Sequence, residues 1–488
     1  MKKILVPIAV LCIIFLFQLS CKQPRKIVGP DDNFTINFNP FPPTDLDTGA
    51  SPKKLSEFAW EEFLALNWKS AYNATGKRDY PDTTWSYDKE AGAYPDLNVW
   101  ETFAHRTELR PWSDKMLPFN DPPHYSFGDV LKPGITDGSY HISFTLFNNL
   151  DENNEIGSCN MYAHVNTFQN RYQVLYEAKV NSEEYNYIRQ NYNTKESLKR
   201  ATLRTKQNIA AYNAYYPNAN TTCSCPVADS VICLPCGSGK TTGTMEIKAA
   251  WRRLTNLDDP SKFFTRTVIY YTKGRNGSIL YDNATYALIA LHIIHKTQNY
   301  PAFVFATFEH INVERDSMGY VLLDSLDHEY GNLRTPMRDP IRSVTEASTK
   351  YVHSKLPAKS IWQNYRLVGV QAKPTSDSTS LATNFFLSNY VVESDYALNH
   401  FNGSSIKWPH DHGLNLLYKG KYYSMGGCQG CHGAAQKNFG TDFSFLLDSF
   451  EKPTRAPDIG INNSIGKLAN YIREFKLAEV KPAEKKKK

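Results

Sequence analysis

Several signals that would assign a class at once are missing from this chain. It has no arginine-rich helix and no array of interleaved basic and aromatic residues. Its formal charge is only +6 over 488 residues, part of it in the terminal run Lys485 to Lys488. Nucleic acid is therefore excluded as a partner, and the basic end reads as a solvated tail. Nucleotide binding is discounted at the one stretch that suggests it. GSGKTTGT at 237–244 resembles a phosphate loop, but Leu234 stands where that loop requires glycine. The apolar run from Ile4 to Leu19 is shorter than the ~20 residues of a membrane-spanning helix. The chain shows no internal repeat, no constellation of catalytic residues, and no methionine after Met425.

What is present begins at the N-terminus. Lys2 and Lys3 precede the apolar run, and Leu19, Ser20 and Cys21 close it like a bacterial lipobox, with Gln18 where an apolar residue is usual. This is the pattern of a lipoprotein signal peptide over 1–20, cleaved so that Cys21 carries the lipid. The alternative is an uncleaved N-terminal anchor. On either reading the body lies outside the cytoplasm, and the expectation is a periplasmic or cell-envelope lipoprotein of the outer membrane, held by its lipid.

The length exceeds what one core usually organises, so a main body with an appendage is expected. Residues 21–55 are polar and proline-containing, as a tether would be. Ser51 and Pro52 then supply an N-cap and first helical position, with Phe58, Phe63 and Leu64 at helical spacing. Residues from about 80 to 133 carry no periodicity and read as loops around VWETFAHRTELRPW. A helical stretch follows over about 182–215. MEIKAAWRRL, FFTRTVIYYT, ATYALIALHIIHKT, AFVFATFEHINV and IWQNYRLVGVQAKP then read as strands. Residues 316–357 read as a polar loop, SNYVVESDYALNHF as a helix, and SIGKLANYIREF as a closing helix. The fold class is α+β: a mostly antiparallel β-sheet body with flanking helices over 56–420, a small helical segment over 421–476, and a lysine-rich tail over 477–488.

Nine cysteines are present. Cys12 falls in the signal, and Cys159 stands apart. Cys223, Cys225, Cys233 and Cys236 form C-x-C-x7-C-x2-C, which in an oxidising compartment reads as two disulfides, with a four-thiolate metal site as the alternative. The remaining pair lies in GGCQGCHGAA, where Cys428, Cys431 and His432 make C-x-x-C-H. Two cysteines three apart on a helix share a face and can form thioethers with the two vinyl groups of one porphyrin. The histidine that follows can supply the proximal ligand to its iron. The glycines around the motif let a flat cofactor approach the backbone. The competing readings are a plain disulfide, or half of a zinc site completed by His410 and His412. Covalent haem c on Cys428, Cys431 and His432 agrees with the export signal.

The order of VWETF, EIKAAWR, the LHIIHKT strand, FATFEH and a C-terminal C-x-x-C-H resembles an uncharacterised bacterial cytochrome c family. That resemblance implies an exported protein with one covalent haem, and among functional residues only Cys428, Cys431 and His432.

The sixth iron position is open in this reading. Small electron-carrying cytochromes commonly use a methionine well downstream of the motif, and here Met425 is the last one. The ligand must come from the body, or the position is empty. His292 and His295 would lie on opposite faces of a strand, His310 follows Glu309 at the end of the next, and His400, His410 and His412 lie near the motif. Two functions follow. One is electron transfer with a redox partner protein. The other is a haem-dependent oxidoreductase acting on peroxide, oxygen or an organic substrate, with His310, Glu309 or His292 as acid-base groups.

Overall fold

Ser51 starts the first helix as expected, its Oγ accepting from the Lys54 amide at 3.3 Å, with Pro52 in the first turn. In the computed structural model the described residues are 33–89, 94–109, 116–123, 125, 132–133, 146–152, 161–165, 167–215, 223, 232–254, 258–273, 279–313, 320–323, 329–330, 341–374, 387, 389, 415–418, 421–424, 427–447 and 457. Helix α1 spans Pro52–Leu66 and buries Phe58, Trp60, Phe63 and Leu64. The helical stretch over 182–215 is two helices, α2 Ser182–Asn191 and α3 Lys195–Tyr215. Asn181 caps α2, accepting from the Glu184 amide.

All five expected strands are present: β3 Met245–Arg253, β4 Thr265–Lys273, β5 Ile279–His295, β6 Val304–His310 and β7 Tyr365–Gln371. They join β1 Met161–Val165 and β2 Thr167–Val180 in a 12-stranded, mostly antiparallel sheet. Two short parallel pairings, of 132–133 with β5 and 149–150 with β4, make it mixed. β5 is central. Residues 286–295 pair with β3 on one edge, while β4 and then β6 pair with the other edge. From Tyr286 onward β5 is buried on both faces, which is why ALIALHII is nearly continuous in apolar residues.

One face of this half is covered by α1 and by α4, Ile341–Lys355. Leu291, Ile293, Ala306 and Phe308 pack there with Phe58, Trp60, Phe63, Val352 and Trp362. On the other face Ile294 and Phe305 cluster with Cys428, Phe443 and Leu447. The described part of 421–476 therefore shares a core with the body and has none of its own. It enters through a hairpin of β8 Asn415–Tyr418 and β9 Lys421–Ser424, followed by helix α5, Gly427–Ala434.

Some expectations need correction. The described part of the tether is body, because Phe34 and Ile36 are buried in the main core and Thr35 and Asn37 donate to Glu57 and Glu61 of α1. The polar stretch 316–357 contains α4 and short strands at 320–323 and 329–330. IWQN, expected as strand, is a 3-10 turn capped by Ser360, and the strand starts at Tyr365. Strand β2 was not anticipated. The signal peptide with Cys21, Cys159, Cys225, Met425, His400, His410, His412, the closing helix over 464–475 and the 477–488 tail lie outside the described residues, as does the helix expected over 388–401 except Asn389. Among the described residues no helix is long and apolar enough to cross a membrane.

Candidate functional site

The C-x-x-C-H stretch forms helix α5, which places positions 428 and 431 on one face. Its first residue, Gly427, has φ 74°, a left-handed conformation that glycine adopts without strain. Cys428 is buried, and both its amide, at 3.0 Å, and its Sγ, at 3.2 Å, donate to the Leu387 carbonyl. Gln429 fixes the helix to the sheet: its amide donates to Gln371 Oε1 at 2.8 Å and its Nε2 to the Ala302 carbonyl at 2.9 Å.

His432 sits between aromatic rings, with Phe305 and Phe445 each at 4.9 Å between centroids. Its Nδ1 lies 2.6 Å from the Phe443 carbonyl. A carbonyl only accepts, so Nδ1 carries the proton. Burial pushes the imidazole down to about 4, so at neutral pH it is uncharged and Nε2 keeps its lone pair. A ring oriented through one nitrogen with the other left as a donor is the arrangement of metal-ligating histidines.

The backbone here is strained. Phe303 (φ 64°), Asp442 (φ 53°) and Phe443 (φ 69°) are left-handed residues with side chains, and Phe303 packs on Phe443 at 6.1 Å between centroids. Each such residue costs on the order of 1–3 kcal/mol and persists only where its surroundings hold it. The holding contacts are visible. Phe443 accepts from His432, while Asp442 pairs with buried Lys296 and accepts from the Leu234 amide at 2.8 Å. Gly440 approaches α3 so closely that a Cβ would lie 2.2 Å from the Thr202 carbonyl oxygen.

Leu234 belongs to the cysteine-rich loop. Cys223 and Cys236 form a disulfide with Cα atoms 5.6 Å apart, and Cys233 is also disulfide-bonded, so these three are not thiolate ligands. Among the described residues no group of three or more His, Cys, Asp or Glu side chains is arranged to hold a metal ion.

His292 and His295 separate as strand periodicity requires. His295 lies on the α1 face, with Nδ1 against Glu62 at 2.5 Å and Nε2 against the Thr242 carbonyl at 2.5 Å. His292 lies on the α5 face, opposite Lys248 of β3 and Thr307 of β6. Burial first, then the charge of Lys248 and, once it is protonated in acid, that of His432, push it down to about 3, so it is neutral at pH 7. Asn389 donates to the neighbouring Thr307 hydroxyl at 2.9 Å. His310 is occupied elsewhere: Nε2 donates to the Lys262 carbonyl at 2.9 Å, Nδ1 accepts from Asn312, and the ring stacks on Phe263. Glu309 is ion-paired with Arg366. His310, Glu309 and His292 are thus not gathered into one acid-base group.

Comparison of the chain with protein-family models, characterised proteins and solved structures finds no match. The functional reading therefore rests on the site.

The structure adds residues that the sequence reading did not select. Glu184 of α2, Glu246 of β3, Lys296 after β5, and Asp442 and Ser444 beyond α5 are all buried and converge where the segment meets the body. A faint signal exists in MEIKAAWRR, where Glu246 and Lys248 alternate with apolar residues yet fall in a strand buried on both faces. Nothing in the sequence points to Asp442. In VWETF, Glu101 accepts from Arg266 at 2.7 Å and from the Asn98 amide, a structural use of that motif.

Proposed function

We propose that the protein is an exported monohaem c-type cytochrome, with haem c attached through Cys428 and Cys431 and held by His432, and that it transfers electrons to or from a redox partner protein. The observation that carries this reading is the state of His432, neutral, fixed through Nδ1 by the Phe443 carbonyl and flanked by Phe305 and Phe445. Helix α5 supplies the shared face the two cysteines need, and Cys428 is a buried thiol at its start. A bound haem would supply a one-electron iron couple. The chain's own part is to orient the proximal imidazole, exclude water with aromatic side chains, and fix α5 to a rigid sheet through Gln429. Export through the signal peptide and lipidation at Cys21 would place this site in the periplasm or cell envelope, on the outer membrane.

His292 is a described histidine on the α5 face and would be the second candidate among this chain's residues to help hold a bound haem. That placement favours electron transfer over the oxidoreductase reading, because His310 and Glu309 are committed elsewhere. The test is a haem stain of the denatured protein with visible spectra under carbon monoxide. Wild type should stain, and Cys428→Ala with Cys431→Ala should lose the stain; full retention rejects attachment. The dithionite-reduced wild type should resist carbon monoxide, and His292→Ala should respond with a marked Soret shift. A wild type that binds carbon monoxide readily would move the assignment to the oxidoreductase.

A further inference from the structure

Glu184 is fully buried, and neither of its carboxyl oxygens has a hydrogen-bond donor among the described residues. Its side chain lies within hydrogen-bonding reach of Glu246, whose carboxyl also meets Ser444. Asp442 and Lys296 complete the group from the other side, and Lys296 is fully buried. Three carboxylates therefore face one ammonium in a water-excluded seam. Two adjacent buried carboxylates cannot both be ionised, so the donor that Glu184 lacks is its own proton, given to Glu246. Burial pushes Glu184 well up, and it pushes Glu246 up to about 7. The cluster joins the proximal histidine through three consecutive residues. Phe443 offers its carbonyl to His432, Asp442 before it pairs with Lys296, and Ser444 after it meets Glu246.

We propose that the Glu184–Glu246 pair is a proton-binding site tied to the iron's redox state, so that the protein takes up one proton with each electron. This rests on the haem reading above. In the oxidised protein the pair holds one proton, and with Glu246 and Asp442 ionised and Lys296 charged the cluster carries one net negative charge. Reduction of a bound haem by a donor protein would remove one positive charge from the group that His432 holds. Glu246 then takes one proton from solvent, and the cluster becomes neutral. Reoxidation by an acceptor returns that proton. The groups facing the pair are Asp442, Ser444 and Lys296, and none of them can replace Glu246 as acceptor without breaking the Asp442–Lys296 pair.

The experiment is a spectroelectrochemical titration of the full haem-loaded protein from below to above neutral pH. The midpoint potential should fall as pH rises, with a slope approaching the about 59 mV that a tenfold change in proton concentration represents for a one-electron couple. Glu246→Gln should flatten the slope while keeping the covalent haem and the visible spectrum. A second readout does not need a variant: the reduced-minus-oxidised infrared spectrum of wild type should gain a deuterium-sensitive protonated-carboxyl C=O band. A pH-independent potential in a haem-loaded wild type, an unchanged slope in Glu246→Gln, or no carboxyl band would each overturn the proposal alone. A wild type without covalent haem overturns the underlying reading as well.

Discussion

On one side of β5, Leu291 and Ile293 meet the rings of α1 and its neighbours: Phe63 lies 4.2 Å from Phe308 and 5.3 Å from Trp362 between centroids. On the other side, His292, Ile294 and Lys296 meet α5, a strained backbone and a buried group of carboxylates. The two faces are built from alternate residues of the same strand, and both exclude water. One face is filled by aromatic and aliphatic side chains, with Glu62 and His295 as an ionisable pair between it and α1. The other carries unlike charges that stabilise only as a complete set. Period-2 alternation lets one strand present an aromatic core on one face and a buried ionisable group near its end on the other.

The largest effect should come from breaking the aromatic face. Phe63→Ala is expected to cost roughly 3–5 kcal/mol in denaturant unfolding, from lost burial and the cavity left among Trp60, Phe308 and Trp362. On the proposed reading the fraction still folded should keep the haem spectrum of wild type. A spectral change as large as the stability change would mean that the faces are not separable.

On the polar face the expected signature is non-additivity. Lys296→Met strands Asp442 and should cost about 3 kcal/mol, in the range for removing one partner of a buried pair. Adding Asp442→Asn should recover much of that loss. Two losses that simply add would show that Asp442 is held by something other than Lys296.

A smaller effect separates the faces by pH. Glu246 is raised from its ordinary 4.5 to about 7 and Asp442 from 3.8 to about 6, both by burial. A raised carboxyl stabilises the fold fully below its unfolded value, and that contribution is lost as pH rises through the folded one. His292 and His432, lowered from 6.5 to about 3 and about 4, act in the opposite sense, their contribution being lost as pH falls below 6.5. The wild-type curve carries both. The difference between wild type and Glu246→Gln isolates the first, and it should decline between pH 4.5 and about 7 by at most about 3 kcal/mol, from the 1.36 kcal/mol per unit of linkage. A flat difference would mean that Glu246 is ionised in the folded protein throughout.

The elements most legible in the sequence were those whose burial is two-sided or whose cap is explicit. LIALHII could only be an internal strand, and Ser51-Pro52 could hardly be other than a helix start. Helix α4 was hidden because its buried face is partly polar, Thr345 and Ser348 lying there with Val344 and Val352. Strand β2 was hidden because TFQNRYQ is polar before VLYEAKV becomes apolar. At the site, the motif and the opposite facing of His292 and His295 followed from spacing. The Phe443 carbonyl, the ring of Phe305 and the Asp442–Lys296 pair did not, since they are joined by folding over long separations. Left-handed backbone at Asp442 and Phe443 has no sequence signature when neither residue is glycine.

The disulfide loop bears on how such a chain must be matured. Cys223, Cys233 and Cys236 are oxidised, and the loop they tie presents the Leu234 amide to Asp442. On the proposed reading Cys428 and Cys431 must meet haem as thiols, because a thioether forms from the reduced sulfur. On that reading one polypeptide asks for opposite treatment of its cysteines, and assembly becomes a matter of sequence in time: a thiol pair kept reduced until it is filled, beside a loop whose own cysteines are oxidised.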